Sequence, residues 1–159
     1  MADLDILYAS GLFELTVDAS ATTFLTGDIL ATDGAGAWVL ADADVAARQD
    51  GQWICLNSVA AGQGTSTHVM KVARRVIARD TDASAYTAGA LLFLSATPGR
   101  TTATAPTIAI ATARRVYGKA ITANEVILNV DVPHYYPSYS SGANAAVSDN
   151  GFFIAPRPM

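Results

Sequence analysis

Phe13, Leu15 and Val17 alternate with Glu14, Thr16 and Asp18, the period of two that a strand with one buried face requires. Thr26-Gly27-Asp28 then opens a short apolar run, Ile29-Leu30-Ala31, which the turn signal Asp33-Gly34 closes. Ala37-Trp38-Val39-Leu40 returns as its hairpin partner. Residues 41–50 read as one short helix or an acidic loop, with Asp42 and Asp44 where an N-cap would sit. Asp50-Gly51 marks the next turn, and Trp53-Ile54-Cys55-Leu56 reads as a buried strand. Residues 60–67 are small and polar and predict a loop.

Residues 69–79 fit two patterns. Val69, Val72 and Val76 share a helical face, whereas Met70, Val72, Val76 and Ala78 share a strand face interrupted at Arg74. The density of β-branched side chains selects the strand. Ala90-Leu91-Leu92-Phe93-Leu94 lies between Gly89 and Pro98-Gly99, and its length suits a buried strand. Residues 107–116 and 119–121 are further strand segments, separated around Gly118. Residues 125–132 alternate most cleanly, with Val126, Leu128, Val130 and Val132 on one face, and Pro133 ends the run.

Composition supports the strand reading. The acids are 12 Asp and two Glu, and the bases are eight Arg and two Lys, so the strong helix formers Glu and Lys are scarce. The 16 Thr and 12 Gly suit strands and tight turns, while the 31 Ala argue the other way and yield to periodicity. With 51% hydrophobic residues and a net charge of -4, wholesale disorder and a basic nucleic-acid-binding surface are excluded. No apolar stretch is long enough to span a membrane, and the start, Met-Ala-Asp-Leu-Asp, is unlike a signal peptide. The single cysteine, Cys55, forms no intrachain disulfide, which fits a chain made in the cytoplasm.

Candidate chemistry is thin. Two histidines, His68 and His134, and one cysteine do not make a zinc pattern, so no metal or cofactor is expected. Gly62-Gln63-Gly64-Thr65-Ser66 lacks the lysine of a phosphate-binding loop, and there is no Gly-x-Ser-x-Gly nucleophile motif. Asp33, Asp50 and Asp149 stand at turn positions. The pairs Arg74-Arg75 and Arg114-Arg115 are expected to split between two strand faces and to pair with Asp. No residue set calls for an enzyme.

After Pro133 the composition shifts. His134-Tyr135-Tyr136-Pro137-Ser138-Tyr139 is aromatic and proline-broken, residues 140–150 are small, and Phe152-Phe153-Ile154 follow. The expected organisation is an N-terminal arm over residues 1–11, a β domain over 12–132 and an aromatic C-terminal arm over 133–159. The domain is expected to be a small antiparallel β-barrel or sandwich. Leu4, Ile6, Leu7 and Tyr8 in the first arm, and Tyr135, Tyr136, Tyr139, Phe152 and Phe153 in the second, are the expected contact residues. Aromatic anchors are enriched at interfaces, and these lie outside the expected core.

Residues 87–106, Thr-Ala-Gly-Ala-Leu-Leu-Phe-Leu-Ser-Ala-Thr-Pro-Gly-Arg-Thr-Thr-Ala-Thr-Ala-Pro, resemble a signature of small tailed-bacteriophage virion proteins. Arg115-Val116-Tyr117-Gly118-Lys119-Ala120 is similar to the turn that follows that signature, with a tyrosine inserted between valine and glycine. Thr26-Gly27-Asp28-Ile29-Leu30 is similar to the family's opening turn and strand, so the resemblance spans roughly residues 26–132. It implies a capsid decoration (cement) protein: a compact antiparallel β domain on the outer surface of the virion head, bound to the major capsid protein. It also implies a homo-oligomer, most simply a trimer, with a dimer as the alternative. The same modules occur in head and tail fibres, which leaves a receptor- or carbohydrate-binding module as the second reading. No catalytic residues come with the family.

Overall fold

A computed structural model describes residues 4–63, 67–80, 86–105, 115–131 and 134–135 of the chain. The strands are β1 (Leu4–Ser10), β2 (Phe13–Val17), β3 (Ile29–Thr32), β4 (Trp38–Leu40), β5 (Trp53–Cys55) and β6 (His68–Ala73). They continue with β7 (Arg75–Asp80), β8 (Leu91–Leu94), β9 (Thr101–Thr102), β10 (Arg115–Ala120), β11 (Glu125–Asn129) and β12 (His134–Tyr135). The only helical element among the described residues is a 3-10 turn at Ala46–Arg48.

All strand pairings among the described residues are antiparallel. The larger sheet runs β1-β7-β11-β10-β8-β9, with β12 also paired to β10, and the smaller runs β2-β6-β5-β3-β4. The fold is therefore all-β and a sandwich; the sheets do not close into a barrel.

One ribbon joins the two sheets. β2 pairs β6 from Val17↔His68 to Phe13↔Val72, and β1 pairs β7 from Ser10↔Arg75 to Tyr8↔Ile77 in the same register. Between the two halves the Arg74 N–H is shared by the Ser10 and Gly11 carbonyls, at 3.1 and 3.2 Å. A strand that changes sheets in this way makes the corner of a sandwich. The interruption at Arg74 in the sequence pattern is that corner. Residues 69–79 are extended, as expected, but belong to two strands in two sheets.

The N-terminal arm is corrected by this ribbon. Residues 4–10 are an edge strand of the larger sheet, and Leu4 is 5% exposed within the core. A bulge between Ile6 and Tyr8 hides the strand from periodicity. Leu4 and Ile6 point inward, the extra residue Leu7 shifts the alternation, and Ala9 takes up the inward side beyond it.

The buried apolar side chains among the described residues form two clusters. The first lies between the sheets and contains Leu4, Ile29, Ile54, Val76, Leu92, Leu94, Tyr117, Val126 and Leu128. The second lies on the other face of the smaller sheet and contains Leu15, Val17, Phe24, Leu30, Cys55, Met70 and Val72. Alternation along β3 and β5 explains the division: Ile29 and Ile54 face the first cluster, Leu30 and Cys55 the second.

Polar pins cross the interior. The Tyr117 hydroxyl donates to the Gln49 carbonyl at 2.9 Å and accepts from the Gly51 N–H at 2.9 Å. Arg115, 5% exposed, pairs with Asp50 at 2.6 Å, donates to the Gly51 and Val130 carbonyls, and lies 4.7 Å from the Tyr117 ring centroid. Asp28, 2% exposed, accepts from the Leu25 N–H and pairs with Arg100 at 3.2 Å. The expected Arg–Asp pairing is thus present for Arg115, and for Arg74 with Asp131 at 3.9 Å.

Other local expectations resolve as follows. The β3–β4 hairpin forms, and Asp33 Oδ1 accepts from the N–H groups of Ala35 and Ala37 in its turn. Residues 41–50 hold only the 3-10 turn, whose N-cap is Val45, while Asp42 is engaged by the Asp44 N–H. Gly118 does not divide two strands. It lies within β10 opposite Leu128, where a Cβ would fall 2.0 Å from the Ile127 carbonyl oxygen. Residues 106–114 lie outside the described residues. His68, just past the expected loop, is the first residue of β6. At the other end, the chain expected to leave the domain after Val132 still pairs at β12, through Tyr135↔Arg115 and His134↔Val116.

Candidate interaction surface

Alternation along the larger sheet leaves a second set of side chains facing away from the core. Register then aligns them across strands. Tyr8 stands beside Ile77, Ile77 beside Ile127, Ile127 beside Lys119, and Lys119 beside Leu91. These residues form a row across five strands whose members are apolar except for Lys119. Tyr8 is 54% exposed, while Ile77, Ile127 and Leu91 are half-buried by their neighbours.

Charged and polar rows flank it. On one side Asp5, Arg79 and Glu125 stand in register, and Arg79 donates to Glu125 Oε1 at 2.9 Å. That bond and the Glu125 charge raise the Arg79 pKa further. On the other side Ser10, Arg75 and Asn129 stand in register. An apolar centre with a polar rim is the anatomy of a protein-binding surface.

The ribbon edge continues the apolar surface around the corner. β1 and β2 are edge strands of their respective sheets, so one stretch of chain forms an edge of both. Leu7 is 45% exposed, Leu12 67% and Phe13 59%. Phe13 stacks on Trp53 with ring centroids 5.4 Å apart, and the Arg74 guanidinium lies 4.0 Å from the Trp53 ring centroid. Leu12 and Phe13 also line a shallow hollow of about 320 Å³ with Leu56 and the stem of Lys71. Large apolar side chains gathered in this way mark contact sites on protein surfaces.

The expected contact residues divide accordingly. Leu7 and Tyr8 are on this surface. Leu4 and Ile6 are not: Leu4 is buried, Ile6 packs against the core, and both are occupied within their own chain. Tyr135 lies in β12, and Tyr136, Tyr139, Phe152 and Phe153 lie outside the described residues. Sequence reasoning missed Leu12, Ile77, Ile127 and Leu91 as surface groups, and read Phe13 as core. Phe13 does share its strand face with Leu15 and Val17, but β2 is an edge strand and Phe13 stands at its open end.

Among the described residues, no group of three His, Cys, Asp or Glu could hold a metal ion. Cys55 is fully buried, and burial with the nearby Asp28 charge pushes its thiol well above the usual range. It is a protonated packing group. Tyr86 is also pushed up, to about 12, first by burial and then by the Asp80 charge. No known protein family, curated protein or solved structure matches this chain.

Proposed function

We propose that this chain is a structural virion protein that binds the outer surface of an assembled phage head and reinforces it. The observation that carries this reading is the apolar row Tyr8–Ile77–Ile127–Leu91 with its charged rims, joined to the exposed edge at Leu7, Leu12 and Phe13. The resemblance of residues 87–106 to head-decoration proteins supports the choice of partner. The role is structural, not enzymatic, and needs no cofactor.

The mechanism is multivalent clamping. A homo-oligomer, a trimer at three-fold joints or a dimer at two-fold joints, engages several major capsid protein subunits at once. After the first contact the others are intramolecular, so weak contacts add to high avidity. Binding to the closed shell and not to free subunits shifts the equilibrium towards the shell. The aromatic segment 136–159 adds contact area in this scheme.

The test is co-sedimentation of the purified chain with expanded heads built from the major capsid protein of its own genome. Stoichiometric, saturable binding, with immunogold label over the whole head, is the expected result. Label confined to a tail tip, or no binding to heads, overturns the proposal.

A further inference from the structure

The inner face of the smaller sheet is only partly covered. Ile29, Ile54 and Ala73 are fully buried in the first apolar cluster. Alternation and register carry the same face onward from Ala73 to Lys71 and Val69 on β6, and from these to Glu14 and Thr16 on β2. All four of these residues are exposed. The larger sheet therefore covers β3, β5 and the end of β6, and leaves the β2–β6 ladder open on its inner side.

This open face carries both a knob and a hollow. Leu12 and Val69, at 67% and 57%, are two of the three most exposed large apolar side chains among the described residues. Leu12 stands at the hollow of about 320 Å³ that Glu14, Leu56 and Lys71 also line, and Leu56 packs against the first cluster behind it. The face also carries both signs of charge. Glu14 and Lys71 are direct register partners, yet among the described residues neither makes an ion pair.

We propose that two copies of the chain pack this face on itself, about a two-fold axis running along the β2–β6 ladder. Such an axis exchanges the two strands. Glu14 of one copy then meets Lys71 of the second, Thr16 meets Val69, and Leu12 comes over the second copy's hollow, each contact occurring twice. An axis running across the strands would set β2 on β2, where Glu14 finds no cation. The charges thus select a second copy as the occupant, and this arrangement of it. Two sheets stacked with their strands aligned complete a sandwich in the usual way. The face is small, so the dimer is a weak one. It gives a specific two-fold contact to the homo-oligomer of the proposed function, on which this inference rests, and leaves Leu7, Tyr8 and Phe13 for the capsid.

The test is sedimentation equilibrium of the full chain from about 10 µM to about 1 mM, without phage heads. The average mass should rise with concentration towards twice the chain mass. Glu14→Lys and Lys71→Glu each place like charges face to face, and each should weaken association about tenfold or more with circular dichroism unchanged. Mixing the two variants restores opposite charges across the interface, so the mixture should associate where each alone does not. A monomer throughout the range overturns the proposal. So does association that neither reversal weakens, or a mixture that stays monomeric. A chain that is monomeric yet saturates phage heads overturns this inference and leaves the proposed function standing; a charge-sensitive dimer that leaves heads bare does the reverse.

Discussion

Gly11 and Arg74 face each other at the corner where the β1–β2 and β6–β7 ribbon passes from one sheet to the other. Gly11 has φ +67°, and a Cβ added there would fall 2.8 Å from the Arg74 Cβ. Both the left-handed backbone and the close approach select glycine. Gly11→Ala is expected to cost about 2 kcal/mol, seen as a lower urea midpoint with an unchanged slope. Arg74→Lys keeps the Cβ and tests the other partner. It should cost less than about 1 kcal/mol, through the contact on Trp53 and the ion pair with Asp131.

The Tyr117 hydroxyl joins β10 to the Gln49–Gly51 turn with two bonds of 2.9 Å. Tyr117→Phe leaves a buried carbonyl and a buried N–H without that partner. The expected loss is about 2–3 kcal/mol in chemical denaturation.

Arg115 and Asp50 form one ion pair with unequal partners. The Arg115 side chain is 6% exposed and the Asp50 side chain 73%. Arg115→Ala removes the donors to the Gly51 and Val130 carbonyls and should cost about 3 kcal/mol. Asp50→Asn leaves those bonds in place at a solvent-exposed position, and should cost less than about 1 kcal/mol. Equal losses in the two variants would contradict this division of roles.

Alkaline pH should unfold the chain earlier than neutral pH does. Cys55 is raised well above 9.0 and Tyr86 from 10.0 to about 12, so the unfolded chain gives up both protons before the folded one does. Stability is complete below the unfolded values and falls as pH rises through the window from 9.0 towards 12. Urea midpoints measured along an alkaline series should trace that fall, and Tyr86→Phe should make it shallower. Tyrosinate absorbance of the folded protein should show a residue titrating late.

Substitutions on the outer row should separate binding from folding. Tyr8→Ser and Ile77→Thr change side chains that face away from the core, in strands that tolerate Ser and Thr. Each should alter stability by about 1 kcal/mol or less. The double variant should lose occupancy on phage heads in the co-sedimentation assay while its far-UV circular dichroism is unchanged. Full occupancy would remove this face from the proposed contact.

Several strands were legible because their signals are local. Leu15 and Val17 alternate, the Asp33-Gly34 turn closes its hairpin, and Val126, Leu128 and Val130 face inward as the pattern requires. The first strand was not, because the bulge at Leu7 sets Leu4 and Ile6 out of phase with Ala9. Nor was the outer row. Tyr8, Ile77, Leu91, Lys119 and Ile127 come from five strands that are mostly distant along the chain, and only pairing register brings them together. Phe13 was misread for a different reason: periodicity reports the face of a strand, but its burial depends on what lies beyond the strand's end.

β3 and β5 give one face to each apolar cluster, and this joins the two clusters into a single melting unit. Ile29 and Leu30 are adjacent in the chain and both fully buried, yet they serve opposite sides of the same sheet. Loosening either side moves the backbone that orders the other. Neither cluster can be lost while its counterpart stays packed, so calorimetry should record one endotherm whose van't Hoff and calorimetric enthalpies agree.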